Sequence, residues 1–269
     1  MRLVLIWSAL LTAMICMPKV RAQSQTAADD LSLKSVPKQF LRDEARIWTS
    51  PFRRHSYTAN GFKKYVVPFV LVTGALIATD RKVTNALPNS ADQLKWSGRI
   101  SQIGSAYGLA GISGSAYLAG KFIHDDHLRE TGLLSLEALG HSQIAVFALK
   151  EITNRERPLD NGKRGGFWEG GTSFPSGHSA GAFAVATVFA YEYQDRPVVP
   201  IAAYSLATLV AASRVGADKH WVSDIVAGGS LGFLMGRFTY KRRHSAGHSA
   251  RLMPAITFSR TAPALSWAF

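Results

Sequence analysis

Residues 175–193 read PSGHSAGAFAVATVFAYEY, a Pro-Ser-Gly-His opening followed by an apolar run with no acid or base from Ser179 to Tyr191. The run is too long for a strand, and Ser176 stands where a hydroxyl caps the first amides of a helix, so the stretch predicts an α-helix over 176–193. Outward from it the same texture recurs from 62 to 237. Apolar segments rich in Ala, Gly, Leu and Val are separated by polar breaks at 80–95, 121–129, 154–174, 194–198 and 216–221. Those breaks delimit further helices at 64–79, 94–122, 131–154, 199–215 and 221–240. The expectation is an all-α fold, a helical bundle of about six core helices.

Small residues recur at close spacing in Gly104, Gly108, Gly111 and Gly114, and again in Gly228, Gly229, Gly232 and Gly236. Faces without side chains let helices approach closely, in membrane bundles and in soluble ones. A bilayer-spanning helix needs about 20 predominantly apolar residues. Only part of the core meets that standard: 66–79 is bounded by Lys64 and Asp80, 100–120 is uncharged but rich in Ser and Gly, and later helices carry Glu137, His141 or Asp224. Membrane association is expected, with integral and peripheral attachment both open.

At 269 residues the chain accommodates one sizeable helical domain with short appendages. Residues 1–22 hold Arg2, an apolar run to Met17, and small side chains around Ala22, which predicts a secretory signal peptide and hence an exported, cell-envelope protein. Residues 23–61 form a polar lead-in with one short amphipathic helix near 36–48, and 62–240 the helical core. Residues 241–269 hold the basic patch Lys241-Arg242-Arg243-His244, read as a solvated stop to the last helix, and a tail. The tail alternates at Ile256/Phe258 and Leu265/Trp267/Phe269 around a break at 259–263, the pattern of a short β-hairpin. The single cysteine, Cys16, lies in the leader, so the mature chain would have no thiol for disulfides, thiolate metal sites or cysteine nucleophiles. A formal charge of +13 suits an anionic membrane surface or a phosphorylated substrate. It would also suit nucleic acid, but export argues against that partner.

Three clusters in the second half of the core share fixed cations, histidines, a hydroxyl and a helix start. Lys150 and Arg157 are seven residues apart, about two helical turns, which would project both from one face of a helix end toward one anion. Ser173-Phe174-Pro175-Ser176-Gly177-His178 precedes the apolar run, where unpaired helix-start amides, the Ser176 hydroxyl and the small Gly177 form an anion cradle beside His178. Ser213-Arg214 is followed by His220 and Asp224; the i, i+4 spacing lets the carboxylate hold one imidazole nitrogen and leave the other free as a nucleophile.

Lys150…Arg157-Pro158, Pro175-Ser176-Gly177-His178 and Ser213-Arg214…His220…Asp224 resemble the three signature motifs of the type-2 phosphatidic acid phosphatase superfamily, which also contains bacterial class A acid phosphatases and vanadium haloperoxidases. Every signature position and spacing fits. The resemblance implies a metal-independent phosphatase acting on phosphomonoesters, a lipid phosphate or isoprenyl diphosphate foremost, through a phosphohistidine. It implies that Lys150, Arg157, Ser176, Gly177 and Arg214 bind phosphate, that His220 is the nucleophile, that His178 is the proton donor, and that Asp224 orients His220. No cofactor is implied. A vanadate-dependent haloperoxidase and a soluble periplasmic acid phosphatase share these motifs and remain as alternatives; the oligomeric state is open.

Elsewhere, His124-Asp125-Asp126-His127 offers metal-ligand types, but adjacent residues point apart and a solvated turn is expected. His141 is expected to be a satisfied core histidine. Phe167 and Trp168 are equally suited to packing and to lining a leaving-group pocket.

Overall fold

The computed structural model describes residues 36–50, 63, 66–87, 90–159, 164–251, 255–258 and 263–266, with side chains described as far as His244. The expected leader, the rest of the lead-in and tail residues 252–254, 259–262 and 267–269, with Trp267, Phe269 and the expected break, lie outside these residues. The chain divides into two units, Met1–Lys38 and Gln39–Phe269. In chain order the helices are α1 (Val36–Thr49), α2 (Val67–Ala86), α3 (Ala91–Ile103), α4 (Ala106–Phe122), α5 (Asp126–Thr153), α6 (Gly177–Glu192), α7 (Val198–Gly216) and α8 (Val222–Arg251). The fold is all-α, and the elements that build the site all belong to the second unit. In the tail, β1 (Ala255–Phe258) pairs antiparallel with β2 (Pro263–Ser266), Ile256 opposite Leu265.

Helix starts follow their caps. Ser90, Ser105, Asp125 and Ser176 have extended backbones, and each side chain accepts an amide hydrogen from the first turn of the helix that follows. Ser105 explains the main departure from expectation: the single helix anticipated at 94–122 is two, because the Ser105 hydroxyl takes the Gly108 amide and opens a new helix after Gly104. Asp125 likewise caps α5 within the expected turn, accepting from the Leu128 amide.

Two other helices run past their expected ends because charges that read as solvated are paired. α2 continues through Asp80, which is 1% exposed and bound to Arg155. The basic patch is not a solvated stop: α8 continues through it, Arg242 Nε standing 2.6 Å from Asp43 Oδ2 and Arg243 Nε donating to Glu130.

α6 is the axis of the bundle, sharing a core of Leu109, Leu139, Ala182, Val185, Ala186, Ala207 and Val210 with α4, α5 and α7. α8 runs parallel to it at close range. A Cβ on Gly228 would stand 2.4 Å from the Ser176 carbonyl oxygen, and one on Gly232 only 2.0 Å from that of Ala180. These glycines therefore set the α6–α8 register, as their spacing implied. The α4 set behaves differently: Gly104 packs against Val210, but Gly111 and Gly114 face open space. Because α6 and α8 are parallel and α5 runs antiparallel to α6, the amino ends of α6 and α8 meet the carboxyl end of α5. The carboxyl end of α7, with Arg214, joins them around one cavity.

Candidate active site

That cavity has a volume of about 460 Å³ and is lined by Lys150, Arg157, Gly177, His178, Arg214 and His220, with Ala106, Gln143, Val146 and Phe147 on one flank. Six of the eight residues singled out in the sequence therefore share one space. Ser176 and Asp224 lie behind its wall, each 0% exposed.

The two cations of the first cluster meet for a reason other than helical spacing. α5 ends at Thr153, because Asn154 adopts the left-handed conformation (φ 42°) and turns the chain. Arg157 thus lies on the returning segment, and Thr172 gathers both cations: its carbonyl accepts from Lys150 Nζ, and its hydroxyl accepts from Arg157 Nη2 at 3.1 Å. The third cation, Arg214, donates through Nη1 to Ser101 Oγ on α3, while its buried Nε has no hydrogen-bond partner among the described residues. Three fixed positive charges face a cavity with no acid among its described lining residues.

At the start of α6 the Ser176 hydroxyl accepts from the Ser179 amide, so this side chain is a helix cap. The amides of Gly177 and His178 belong to the first turn, which has no carbonyls of its own to meet them. Gln143 Nε2 donates to the Gly177 carbonyl at 3.1 Å and ties this corner to α5. The Ser176 amide donates to the Asp224 carbonyl at 3.0 Å, which fixes α6 against the first turn of α8.

His220 Nδ1 lies 3.4 Å from Asp224 Oδ2, leaving Nε2 for the cavity. The carboxylate has shorter contacts as well. Oδ2 accepts from Ser173 Oγ at 2.5 Å and from the Trp221 amide at 2.9 Å, and Oδ1 accepts from Arg155 Nη1 at 2.6 Å. Arg155 is 2% exposed and also donates to Ser223 Oγ at 2.7 Å and to Asp80 Oδ2 at 2.8 Å. Its guanidinium lies between the rings of Phe167, 4.8 Å away, and Trp221, 5.4 Å away. Trp221 is itself fully buried, with Nε1 donating to the Glu156 carbonyl at 2.8 Å. Phe167 thus packs inside the site, whereas Trp168 is 78% exposed.

The electrostatics follow from this geometry. Burial, then the positive charges of Arg214, His220, Lys150 and Arg157, push His178 down to about 4. Burial also brings His220 down to about 4, with Lys150 and Arg214 adding to it and Asp224 opposing. Burial raises Asp224, but the His220 hydrogen bond, the Arg155 charge and the Ser173 hydrogen bond outweigh it and hold the carboxyl below its usual range. In the open site at neutral pH both imidazoles are neutral, and His220 presents a lone pair backed by a carboxylate.

Sequence reading missed Arg155, Asp80, Ser101 and Thr172. Arg155 sits inside the first cluster, but its burial was not visible there. Asp80 and Ser101 come from α2 and α3, far along the chain, and carry no local pattern. Among the described residues no group of three or more His, Cys, Asp or Glu side chains is arranged to hold a metal ion.

Residues 131–247 match the PAP2 superfamily, a segment containing all three motifs. A lipid A 1-phosphatase of Porphyromonas gingivalis is 44% identical over 69 residues, 25% of this chain and 16% of that protein. Phosphatidylglycerophosphatase B of Bacillus subtilis is 38% identical over 112 residues, 39% of this chain and 54% of that protein. The chain thus spans about half or less of the curated relatives it matches. A crystal structure of a transmembrane PAP2-type phosphatidylglycerolphosphate phosphatase from Bacillus subtilis, 26% identical, covers 66% of this chain and 96% of its own, with a TM-score of 0.53.

Proposed function

With its catalytic-end segment matching the PAP2 superfamily, we propose that this chain is a membrane-associated lipid phosphatase that removes phosphate from a phosphorylated lipid through a phosphohistidine on His220. The observation that carries the reading is the convergence of Lys150, Arg157 and Arg214 with His178 and His220 on one cavity.

In this reading the three cations and the Gly177 amide hold the phosphate oxygens and neutralise the charge that gathers on them in the transition state. His220 Nε2 attacks phosphorus: the N–P bond forms, the ester P–O bond breaks, and the departing alkoxide takes a proton from His178. The bound phosphate dianion, adding negative charge beside His178, favours that proton. Water then gives a proton to His178 as its oxygen bonds phosphorus, the N–P bond breaks, and inorganic phosphate leaves. Asp224 keeps the proton on Nδ1 throughout and stabilises the cationic imidazole. The fixed cations supply the charge for which other phosphatases use a metal ion.

A lipid leaving group is supported by the apolar flank of the cavity. Ala106, Val146 and Phe147 line it, Phe147 is 66% exposed, and Tyr107, next in sequence to Ala106, and Ile144, one turn before Phe147 on α5, are exposed too. Two helices, Asp126–Thr153 and Val198–Gly216, are long and apolar enough to cross a membrane, and α7 exposes Val198, Ile201 and Leu209. An exported leader at 1–22 would put the site outside the cytoplasm.

The test is phosphate release by purified protein in detergent with EDTA, from phosphatidic acid, undecaprenyl diphosphate and p-nitrophenyl phosphate, alongside His220→Ala. Release that survives EDTA, favours a lipid and disappears in the variant is expected. Preference for p-nitrophenyl phosphate would replace the lipid substrate with a soluble one. Release unaffected by His220→Ala would remove the nucleophile from this account.

A further inference from the structure

Asp224 orients the imidazole, but Asp224 is itself held, in part by Arg155, a residue to which the motif resemblance assigns no role. Arg155 Nη1 reaches its Oδ1 at 2.6 Å, while Arg155 Nη2 reaches Asp80 Oδ2 at 2.8 Å. One buried guanidinium therefore spans two buried carboxylates from helices far apart in sequence. Asp80 does a second job: its Oδ1 accepts the Ser223 amide at 3.0 Å and its Oδ2 accepts Ser223 Oγ at 2.5 Å. The Ser223 amide is one of the first-turn donors of α8 that have no carbonyl within their own helix. Asp80 thus caps, from α2, the helix whose first turn carries Asp224.

We propose that Arg155 and Asp80 are positioning residues for the nucleophile: the Arg155 guanidinium, clamped between Asp80 and Asp224, fixes the carboxylate that orients His220. This makes α2 part of the site although it precedes the matched segment 131–247. Neither residue lines the cavity, so neither touches substrate. The arrangement has a physical logic. A lone carboxylate beside a histidine can rotate, and its 3.4 Å contact to His220 is the longest of its four. The three shorter bonds fix its plane, leaving the imidazole to settle against a rigid acceptor. An arginine suits this task better than a lysine because its planar fork addresses both acids at once.

The inference rests on His220 being the nucleophile, so His220→Ala is measured beside the positioning variants. Full-length protein in detergent micelles is assayed on phosphatidic acid as wild type, Arg155→Met, Arg155→Lys, Asp80→Asn and the double variant Asp80→Asn/Arg155→Met. The readouts are kcat, KM, the pH of the acid limb of kcat, and the circular-dichroism melt. Arg155→Met is expected to lower kcat about 100-fold with KM within about twofold, since misplacing a catalytic group costs rate rather than binding. Its acid limb should move to higher pH, because an Asp224 released from Arg155 gives more of its charge to His220. Arg155→Lys and the isosteric Asp80→Asn should each lose about 10-fold. The double variant removes the acid that Arg155→Met leaves unpaired, so it should melt higher than Arg155→Met and stay slow.

Folded variants with wild-type kcat, a change confined to KM, or an unmoved acid limb in Arg155→Met would overturn the proposal. Loss of the fold in all four would overturn it too, by making the pair structural only. Activity retained in His220→Ala would sink the functional reading instead. Inactive His220→Ala with unimpaired Arg155 and Asp80 variants would sink this inference alone.

Discussion

Two buried aspartates, one behind the cavity and one away from it, show what distinguishes the site from the scaffold. Asp224 and Asp43 are both 0% exposed, and each lies close to an arginine and a histidine. Asp224 takes aligned bonds from Arg155, Ser173, the Trp221 amide and His220, and its carboxyl is held below the usual range. Asp43 Oδ2 stands 2.6 Å from Arg242 Nε and 4.0 Å from His141 Nε2, yet among the described residues neither oxygen makes an aligned hydrogen bond. Burial raises its carboxyl, and the charges of Arg242, His141 and Arg46, with the close Arg242 contact, do not bring it back. Beside similar charges the two carboxyls shift in opposite directions, and the one held low is the one with the larger set of directed donors. The acid with directed donors is the one behind the cavity.

The strongest way to break this comparison is to remove the charge from each acid in turn. Asp224→Asn is expected to cut kcat about 10⁴-fold, the scale of losing the acid that sets a catalytic imidazole's tautomer. Asp43→Asn should leave kcat within about twofold, because Asp43 lies toward the far end of the bundle. α5 alone separates Glu137, beside Arg242, from Lys150 by about 20 Å of helix. Steady-state kinetics on phosphatidic acid checks both, and equal losses would erase the distinction.

Much of the site is legible in the sequence because the motifs fall at helix ends, where caps and charges have a local logic. Ser176 opens α6 as its position implies, and His220 and Asp224 stand one turn apart across the start of α8. Lys150 and Arg157 converge as expected but by another route, a left-handed Asn154 and a shared Thr172, because a helix end cannot be placed from residue spacing alone. What pattern cannot reach is pairing between distant segments. Asp80 looks like the polar end of an apolar run, and Arg242 like part of a solvated patch. Each is instead a charge neutralised by a residue more than 70 positions away, and both helices continue through it. The break at Gly104-Ser105 was hidden for the opposite reason: a serine among glycines reads as helix packing until its hydroxyl is seen to cap.

A smaller effect sharpens the comparison in stability. Asp224, depressed in the fold, contributes stability that is present above the unfolded value of about 3.9 and lost as pH falls through its folded pKa. Asp43, raised in the fold, does the reverse. The native state keeps its proton longer than the unfolded chain, so stability from this group falls as pH rises from about 4 to its folded pKa. Asp43→Asn should therefore flatten the dependence of Tm on pH above about 4, by about 2–4 °C for each kcal/mol involved. Melts of wild type and variant across that range, followed by circular dichroism, provide the check; parallel curves would show that the fold does not raise the Asp43 carboxyl.

The mechanism stands on a covalent bond between phosphorus and His220. The direct measurement is to mix the protein in EDTA with phosphatidic acid carrying a radiolabelled phosphate, quench in alkali within the first turnover, and count label on the denatured chain. Wild type should carry label that survives alkali and is released by acid, as a phosphoramidate is, and His220→Ala should carry none. Label that persists in His220→Ala, or that resists acid as a phosphoserine would, contradicts the account.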